Sequence, residues 1–541
     1  MKTECLPFSQ IPHTTQLFSD FLSYSPKVRR FYPRSPHFSE WLKQETAAIR
    51  YNNSRRQRVA EILERQNKTW GGTGKTSENI ARFRNGALVA VTGQQVGLFG
   101  GPLFSIFKAL TAVKLADQAT AAGIDCVPVF WLATEDHDLA EVNNTSLPTA
   151  EGSLEKLITP TQGLPDAPVG AVQFGEEIKA VVETASRLLG ISETTELLVN
   201  SYRPGETLGS AFARLFTRLF ADWGVILLDA GDPALHRITE PIYRAAVERA
   251  AEIDEALLKR GRELESAGYH QQVKVTPSST LLFTLHNGGR VPVHRRPNGS
   301  SEPDFVIEDK KIPHTELLHL IASAPHHFSA NVLLRPVVQD YLLPTLAYTG
   351  GSAEVAYFAQ AAVVYQALLG RVTPILPRFS ATLVEPKPQR LLERYGLKLT
   401  DLFHGPESLR EILAARTLPA DLQSAFDQAS ASLDQSLSAI RESFSRLDAT
   451  LVDAASRAGS KMQYQLEHLR TSAARAELRQ SEILNRHAEQ LSNALYPGKS
   501  LQEREVAGVY LLARYGRELL HQLYGTIHTE CLDHQLVSLQ S

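Results

Sequence analysis

The stretch ALVAVTGQQVGLFGGPLFSIFKALTAVKLA, residues 87–116, decides the reading of this chain. It opens with a continuous apolar run, the pattern of a strand buried in a parallel sheet. A glycine-rich joint follows at residues 93–101, and PLFSIFKALTAVKLADQATAAG then reads as a helix with Pro102 near its first turn and Gly123 at its stop. IDCVPVFWLATEDHD, from Ile124, is a second apolar strand, so the whole is a βαβ unit. At the carboxyl end of the first strand Gly93, Gly97, Gly100 and Gly101 let backbone approach a ligand closely, and the helix N-terminus behind them offers N–H groups to an anion. Gln94 and Gln95 add neutral donors and acceptors for a polar substrate. The spacing GxxxGxxG is not the dinucleotide fingerprint GxGxxG, so NAD is not inferred. The competing reading is a tight turn whose glycines serve packing alone.

The second strand ends in ATEDHD. Alternation along an extended segment puts Asp136 and Asp138 on one side and Glu135 and His137 on the other, beside the glycine joint if the two strands are neighbours. A histidine flanked by carboxylates can shuttle a proton or steady a developing charge, which makes His137 and Asp136 the catalytic candidates and Asp138 a binding candidate. A solvated acidic turn is the bland alternative, and no second ligand set points to a metal. A third constellation, HHFSANVLLRPVVQDYLLPTLAYTGGSAEVAYFAQ from His326, contributes Asn331, Arg335, Gln339, Glu354 and Tyr357. Arg335, held beside Pro336, reads as a fixed clamp for a carboxylate or phosphate, and YTGGSAE repeats the glycine-turn-then-helix device. Here the alternative is a structural ion pair between Arg335 and a neighbouring acid.

Further strand and helix signals lie in WGVILLDAGDPALHRITEPIYRAAVERA, from Trp223, and RVTPILPRF, from Arg371, so the class is α/β with a mostly parallel sheet wrapped by helices. Residues 145–200 and 268–315 interrupt this rhythm and read as insertions, the second with an NGG hairpin signal. GGTGKTS at Gly71 has Thr69 where a phosphate loop needs its first glycine and reads as a surface turn. Between Pro419 and Pro497 apolar residues at Ile440, Phe444, Leu447, Leu451, Ala454 and Ala458 fall four and three apart, a coiled-coil seam. The spacing stutters through Met462, Leu466 and Leu469 beside Gly459, where a helical hairpin could turn; a single helix would be about 115 Å long. Such a seam needs a return helix or a second subunit.

With 56 Lys and Arg against 59 Asp and Glu, a formal net charge of -3, the chain has no nucleic-acid-coating character. Cys5, Cys126 and Cys531 are scattered without CxxC spacing, which leaves neither a zinc site nor a disulfide framework and fits a cytoplasmic address. No apolar run long enough to span a bilayer is found, so neither membrane nor nucleic acid is expected as a partner.

The three constellations, with the opening IPHTTQLFSDFL at Ile11 and the late NALYPGKSLQER at Asn493, resemble the bacillithiol-biosynthesis cysteine-adding enzymes, the BshC family, over nearly the entire chain. The resemblance implies a Rossmann-like core with inserted connective-peptide segments and a C-terminal α-helical coiled coil that pairs subunits as a homodimer. On that basis the expected boundaries are core at 1–144, 201–267 and 316–385, insertions at 145–200 and 268–315, a coiled-coil domain at 386–500 and a C-terminal helical segment at 501–541. The implied reaction joins L-cysteine to glucosaminyl malate through an amide. Because an amide does not form downhill from a free carboxylate, ATP is expected as co-substrate, by way of an adenylate or an acyl phosphate; the HxGH and KMSKS signatures of adenylate-forming enzymes are absent. In this scheme the loop at 93–101 holds an anionic group, His137 assists proton transfer or charge stabilisation with Asp136 orienting it, and Arg335 clamps the malate carboxylate. A different Rossmann-type nucleotidylyl or acyl transferase and a non-enzymatic coiled-coil assembly protein are the competing classes. The enzymatic reading requires Gln94 and His137 to face one shared pocket.

Overall fold

The apolar runs become five parallel strands, β1 (Leu88–Gln94), β2 (Cys126–Leu132), β3 (Ile226–Asp229), β4 (Thr345–Gly350) and β5 (Ile375–Pro377), in the order β5-β4-β1-β2-β3. The structure, a computed structural model, describes residues 2–161, 166–296 and 304–540, the side chains of 449, 475 and 477–480 excepted. Strand residues alternate between two cores. Val89, Val91, Val127, Val129, Ile226 and Leu228 face one, and Phe130, Leu132 and Leu227 face the other. Helix α1 (Phe104–Ala121) packs in the second core, while α2 (Arg335–Leu342) and α3 (Ser352–Leu369) pack in the first. Because the chain runs outward from β1 to β3 and then returns to lay β4 on the other side of β1, the β1/β4 boundary is the topological switch point, where α/β sheets open a crevice at their carboxyl ends.

The glycine joint is shaped by packing. Gly100 (φ 86°) lies against the helix Leu208–Leu219, where an added Cβ would come within 3.2 Å of the Phe216 ring and 3.3 Å of Leu215. At Gly97 an added Cβ would lie 3.0 Å from the Cα of Gly101. The amides expected to greet an anion are already engaged: Gly100 N–H donates to the Tyr202 hydroxyl (3.1 Å), Leu103 N–H to Val506 O (2.9 Å) and Ser105 N–H to Pro102 O (2.9 Å). Gly97 and Gly100 are therefore structural, which corrects the expectation that they cradle a ligand; Gly93 alone of the proposed binding glycines reaches the crevice.

In the first insertion Asn144–Pro148 pairs with Leu154–Ile158 as a hairpin, and Ile178–Leu189 and Glu193–Ser201 are helices. In the later insertion Asn287 and Gly288, both at positive φ, turn Ser279–His286 into Gly289–Arg296; with Asp304–Ile307, Lys310–Pro313 and Phe328–Ala330 these make a five-stranded antiparallel sheet. The C-terminal segment is not helical throughout as expected: His534–Ser538 is a strand between Lys2–Leu6 and Ala381–Val384, and it brings the Sγ atoms of Cys5 and Cys531 to 3.3 Å. The seam folds back on itself as α4 (Ala420–Leu447) and α5 (Ala449–Gln480), so the expected reversal beside Gly459 sits earlier, at the extended residue Asp448. Gly459 instead lets the helices touch, since a Cβ there would lie 2.7 Å from Leu437. Among the described residues no helix is long and apolar enough to cross a membrane.

Gly100→Ala should lower stability by roughly 1–3 kcal/mol, the cost of a side chain in the left-handed region against an unyielding aromatic neighbour. The urea unfolding midpoint measures it, and an unchanged midpoint would contradict the packing role.

Candidate functional site

A cavity of about 600 Å³ opens at the switch point, lined from β1 by Gly93 and Gln94, from the β2 end by Glu135, Asp136 and His137, and from the third constellation by Asn331, Arg335, Glu354 and Tyr357. Gln94 and His137 thus share one pocket. Between β1 and α3 stands Lys108, buried one turn into α1. Its ammonium donates to Gly93 O (2.9 Å), Gln94 Oε1 (2.7 Å) and the Glu354 carboxylate, which satisfies all three of its protons. Burial pulls Lys108 below the ordinary amine range; Glu354, despite its own burial, is held below the usual carboxylate range by Lys108 and by the N–H of Gly351, 2.9 Å from Oε2.

The turn after β2 does not continue the strand's alternation. The strand ends at Leu132, and the Asp136 N–H folds back toward Ala133 O, so Glu135, Asp136 and His137 all reach the cavity while Asp138 turns away. Asp138 caps the short helix Leu139–Val142, accepting the Glu141 N–H at 3.1 Å, which removes it from the binding set. Asp136 accepts the His137 backbone N–H (2.7 Å) and the Gln95 side-chain amide (2.6 Å), but its nearest oxygen is 3.6 Å from His137 Nδ1. The expected Asp136-to-imidazole orientation is therefore replaced by another partner. Arg290, from the inserted hairpin, places a guanidinium nitrogen 3.3 Å from His137 Nδ1 and is itself fixed by Ser329 Oγ (2.8 Å), Ala330 O (2.6 Å) and the face of Phe283. A guanidinium only donates, so Nδ1 accepts and the ring's hydrogen sits on Nε2.

Arg335 is supported without being neutralised. It donates to Gln339 Oε1 and to the Tyr357 hydroxyl, each at 3.1 Å, and lies over the rings of Tyr348 and Trp131. Gln339 is fully buried and does not line the cavity; its amide passes on to Asp340 at 3.0 Å, so it is a positioning residue and not a substrate contact. No carboxylate pairs with Arg335 among the described residues, which disposes of the structural ion pair as an alternative. Asn331 lines the cavity but spends its side-chain oxygen on the N–H groups of Leu333 and Leu334, both at 3.0 Å, fixing the entry to α2.

Sequence reasoning missed Lys108, Arg290 and the special state of Glu135. Lys108 was visible as the lone charge early in an apolar helix; Arg290 sits on a polar hairpin with no local signal. Glu135 Oε1 is sealed from water 3.3 Å from His236 Nε2, without hydrogen-bond geometry. Burial, only partly countered by Arg290, pushes its carboxyl up to about 8, and burial pulls His236 down to about 4.

This fold and site define a Rossmann-like α/β protein with its polar cavity at the switch point and a helical hairpin domain appended. The sequence matches the family described as "Bacillithiol biosynthesis BshC, N-terminal Rossmann-like domain" over residues 1–379 and "Bacillithiol biosynthesis BshC, C-terminal coiled-coil domain" over residues 381–539. The chain belongs to the BshC family. It is 49% identical to a protein of Koribacter versatilis named "Putative cysteine ligase BshC" over 99% of this chain and 100% of that one. Proteins of the same name from Solibacter usitatus and Salinibacter ruber are 37% identical over 99% of this chain and 100% of theirs, and 33% identical over 97% and 96%.

The Glu135 proton has a consequence for stability. The folded state keeps a proton that the unfolded chain releases above its ordinary value of 4.5, so stability falls as pH rises from there to about 8. His236, depressed to about 4 from 6.5, acts in the opposite sense between those values, which leaves pH 6.5 to 8 as the window of Glu135. Glu135→Gln should flatten the fall across that window by up to roughly 2 kcal/mol, read from urea midpoints at its two ends. Equal pH slopes in variant and wild type would refute the buried proton.

Proposed function

We propose that this protein is a cysteine ligase of bacillithiol biosynthesis, forming the amide between the carboxyl group of L-cysteine and the amine of glucosaminyl malate. The observation that carries the reading is Arg335: an uncompensated guanidinium, braced by Gln339 and Tyr357, in a cavity large enough for a sugar acid and an amino acid, in a chain whose relatives bear the name cited above. Arg335 clamps the malate carboxylate. His137, with Nδ1 occupied by Arg290, presents Nε2–H to the charge that develops on the attacked carbonyl oxygen. Glu135 keeps a proton at hand on the same wall. Activation of the cysteine carboxylate is assigned to ATP, through an adenylate or an acyl phosphate. The reading includes a cytoplasmic address and pairing of two copies through the α4–α5 hairpin, where Ile440, Leu447, Met462, Tyr464 and Leu469 are exposed.

The test is direct. Purified protein incubated with ATP, cysteine and glucosaminyl malate should yield the cysteinyl amide by mass spectrometry, and no product under any nucleotide would sink the reading. His137→Ala should lower turnover by about two to three orders of magnitude. Arg335→Gln should raise KM for glucosaminyl malate about tenfold or more with KM for cysteine little changed; equal effects on both would remove the malate clamp. Another Rossmann-type transferase would turn over a different acceptor in the same assay, and an assembly protein would turn over none.

A further inference from the structure

The three cysteines stand in three different settings. Cys126 is buried in β2, and burial pushes its thiol well above the usual range. Cys5 is exposed and Cys531 half-buried, and their Sγ atoms lie 3.3 Å apart although 526 positions separate them in the chain. Each is brought there by its own backbone. Lys2–Leu6 pairs antiparallel with His534–Ser538, which sets Cys5 opposite Gln535 on the edge strand of a three-stranded sheet. Just ahead of His534–Ser538 the Cys531 N–H donates to His528 O (3.0 Å), closing a turn. That turn is tied to the body of the protein by Thr529 Oγ1, which donates to Gln118 Oε1 (2.8 Å), and by Glu530, which accepts from Ser39 Oγ (2.9 Å).

A sulfur–sulfur bond of about 2.0 Å leaves about 1.3 Å for the two atoms to close, and Cys5 belongs to a strand with four of its five residues exposed. A shift that small is open to a side chain at the edge of a sheet. The hydrogen bond shared with Cys531, then burial, then the charges of Cys531, Asp533 and Glu4 push the Cys5 thiol up to about 11. Cys5 therefore keeps its hydrogen and donates it within the pair, which leaves Cys531 as the sulfur that attacks first. Once Cys531 is capped, the largest cause of that rise is gone and Cys5 is free to act as the resolving thiol. Neither cysteine lines the cavity of the candidate site, so the pair is independent of the ligase reading.

We propose that Cys5 and Cys531 are a thiol-modification site, a reversible staple closed by the disulfide of a low-molecular-weight thiol, which fastens the first strand of the chain to the turn before its last strand. The Cys531 sulfur attacks the small disulfide, forming a mixed disulfide and releasing one thiolate, which takes up the proton that Cys531 lost. Cys5 then attacks the Cys531 sulfur, its proton leaving with the second small thiol, and the Cys5–Cys531 bond remains. Two protein thiols are oxidised, one disulfide is reduced to two thiols, and no other co-reactant enters. Excess thiol runs the exchange backwards. The full chain incubated with cystine, quenched in acid and alkylated in denaturant should give a Cys5–Cys531 linked peptide by mass spectrometry, lost on treatment with dithiothreitol, while Cys126 is recovered as the alkylated thiol. Amide hydrogen exchange over Lys2–Leu6 should slow in the oxidised form. Cys5 is exposed, so Cys5→Ser leaves the core untouched, and this variant should stop at the mixed disulfide with one cysteine retained on Cys531. Cysteine adducts on Cys5 and Cys531 without a linked peptide, a link between two chains in place of one within the chain, or unchanged exchange over Lys2–Leu6 on oxidation would overturn the staple. So would Cys5→Ser chains that carry no adduct on Cys531.

Discussion

The architecture of the site depends on one buried ammonium. Lys108, 4% exposed, sits where β1 ends and α3 begins, and its three protons are shared among a backbone carbonyl, an amide oxygen and a carboxylate. Taking this charge out of water costs several kcal/mol, so the arrangement holds only with every acceptor in place, and loss of one partner from such a pair typically costs about 3–5 kcal/mol. Gln94 is thereby oriented with its oxygen toward Lys108, and its amide has no acceptor among the described residues. Glu354 is drawn toward Lys108, and its second oxygen then fixes the Gly351 N–H and with it the turn into α3 at the cavity wall. This polar node early in α1 sets one wall of the cavity.

Around that node, charge is distributed by how each arginine is used. Arg378 spends both terminal nitrogens on Glu503 and a backbone carbonyl, and so acts first as a strut between the sheet and the C-terminal segment. Arg290 is spent on Ser329, Ala330 and His137, which fastens the inserted antiparallel sheet to the turn after β2. The insertion is therefore part of the site: without it His137 would have no partner fixing its tautomer. Arg504, beyond the Rossmann-like region, completes the rim, so the cavity draws on the ends of β1, β2 and β4, the insertion and the C-terminal domain together.

What the sequence made legible follows from how local the cause is. Apolar runs fixed β1 and β2, and their parallel pairing put Gly93 beside Trp131 and Gln94 beside Leu132, so the strand ends could be placed before any coordinates. Asp138 was misplaced because alternation was extended past Leu132, where backbone bonding in the turn takes over. Gly97 and Gly100 were misread because a glycine that makes room for Phe216 and one that makes room for a ligand look the same in sequence. The hairpin reversal at Asp448 was hidden for a related reason: Leu447 and Leu451 keep the seam spacing across the turn, and only the partner helix distinguishes continuation from return. Arg290 was beyond reach, since its contact with His137 joins segments 153 positions apart.

The contrast between Arg335 and its neighbours shows how its charge is kept open. The buried amide of Gln339 links Arg335 to Asp340, accepting from the guanidinium and donating to the acid. Asp340 is instead satisfied by the Tyr365 hydroxyl at 2.6 Å, and burial raises its carboxyl above the usual range, which weakens any claim it has on the arginine. Tyr348 and Trp131 add π faces that favour a cation without consuming its donors. A neutral spacer, a reluctant acid and two aromatic faces together keep the guanidinium charged, oriented and unspent, so the strongest remaining partner it can find is an anion that enters through the cavity mouth.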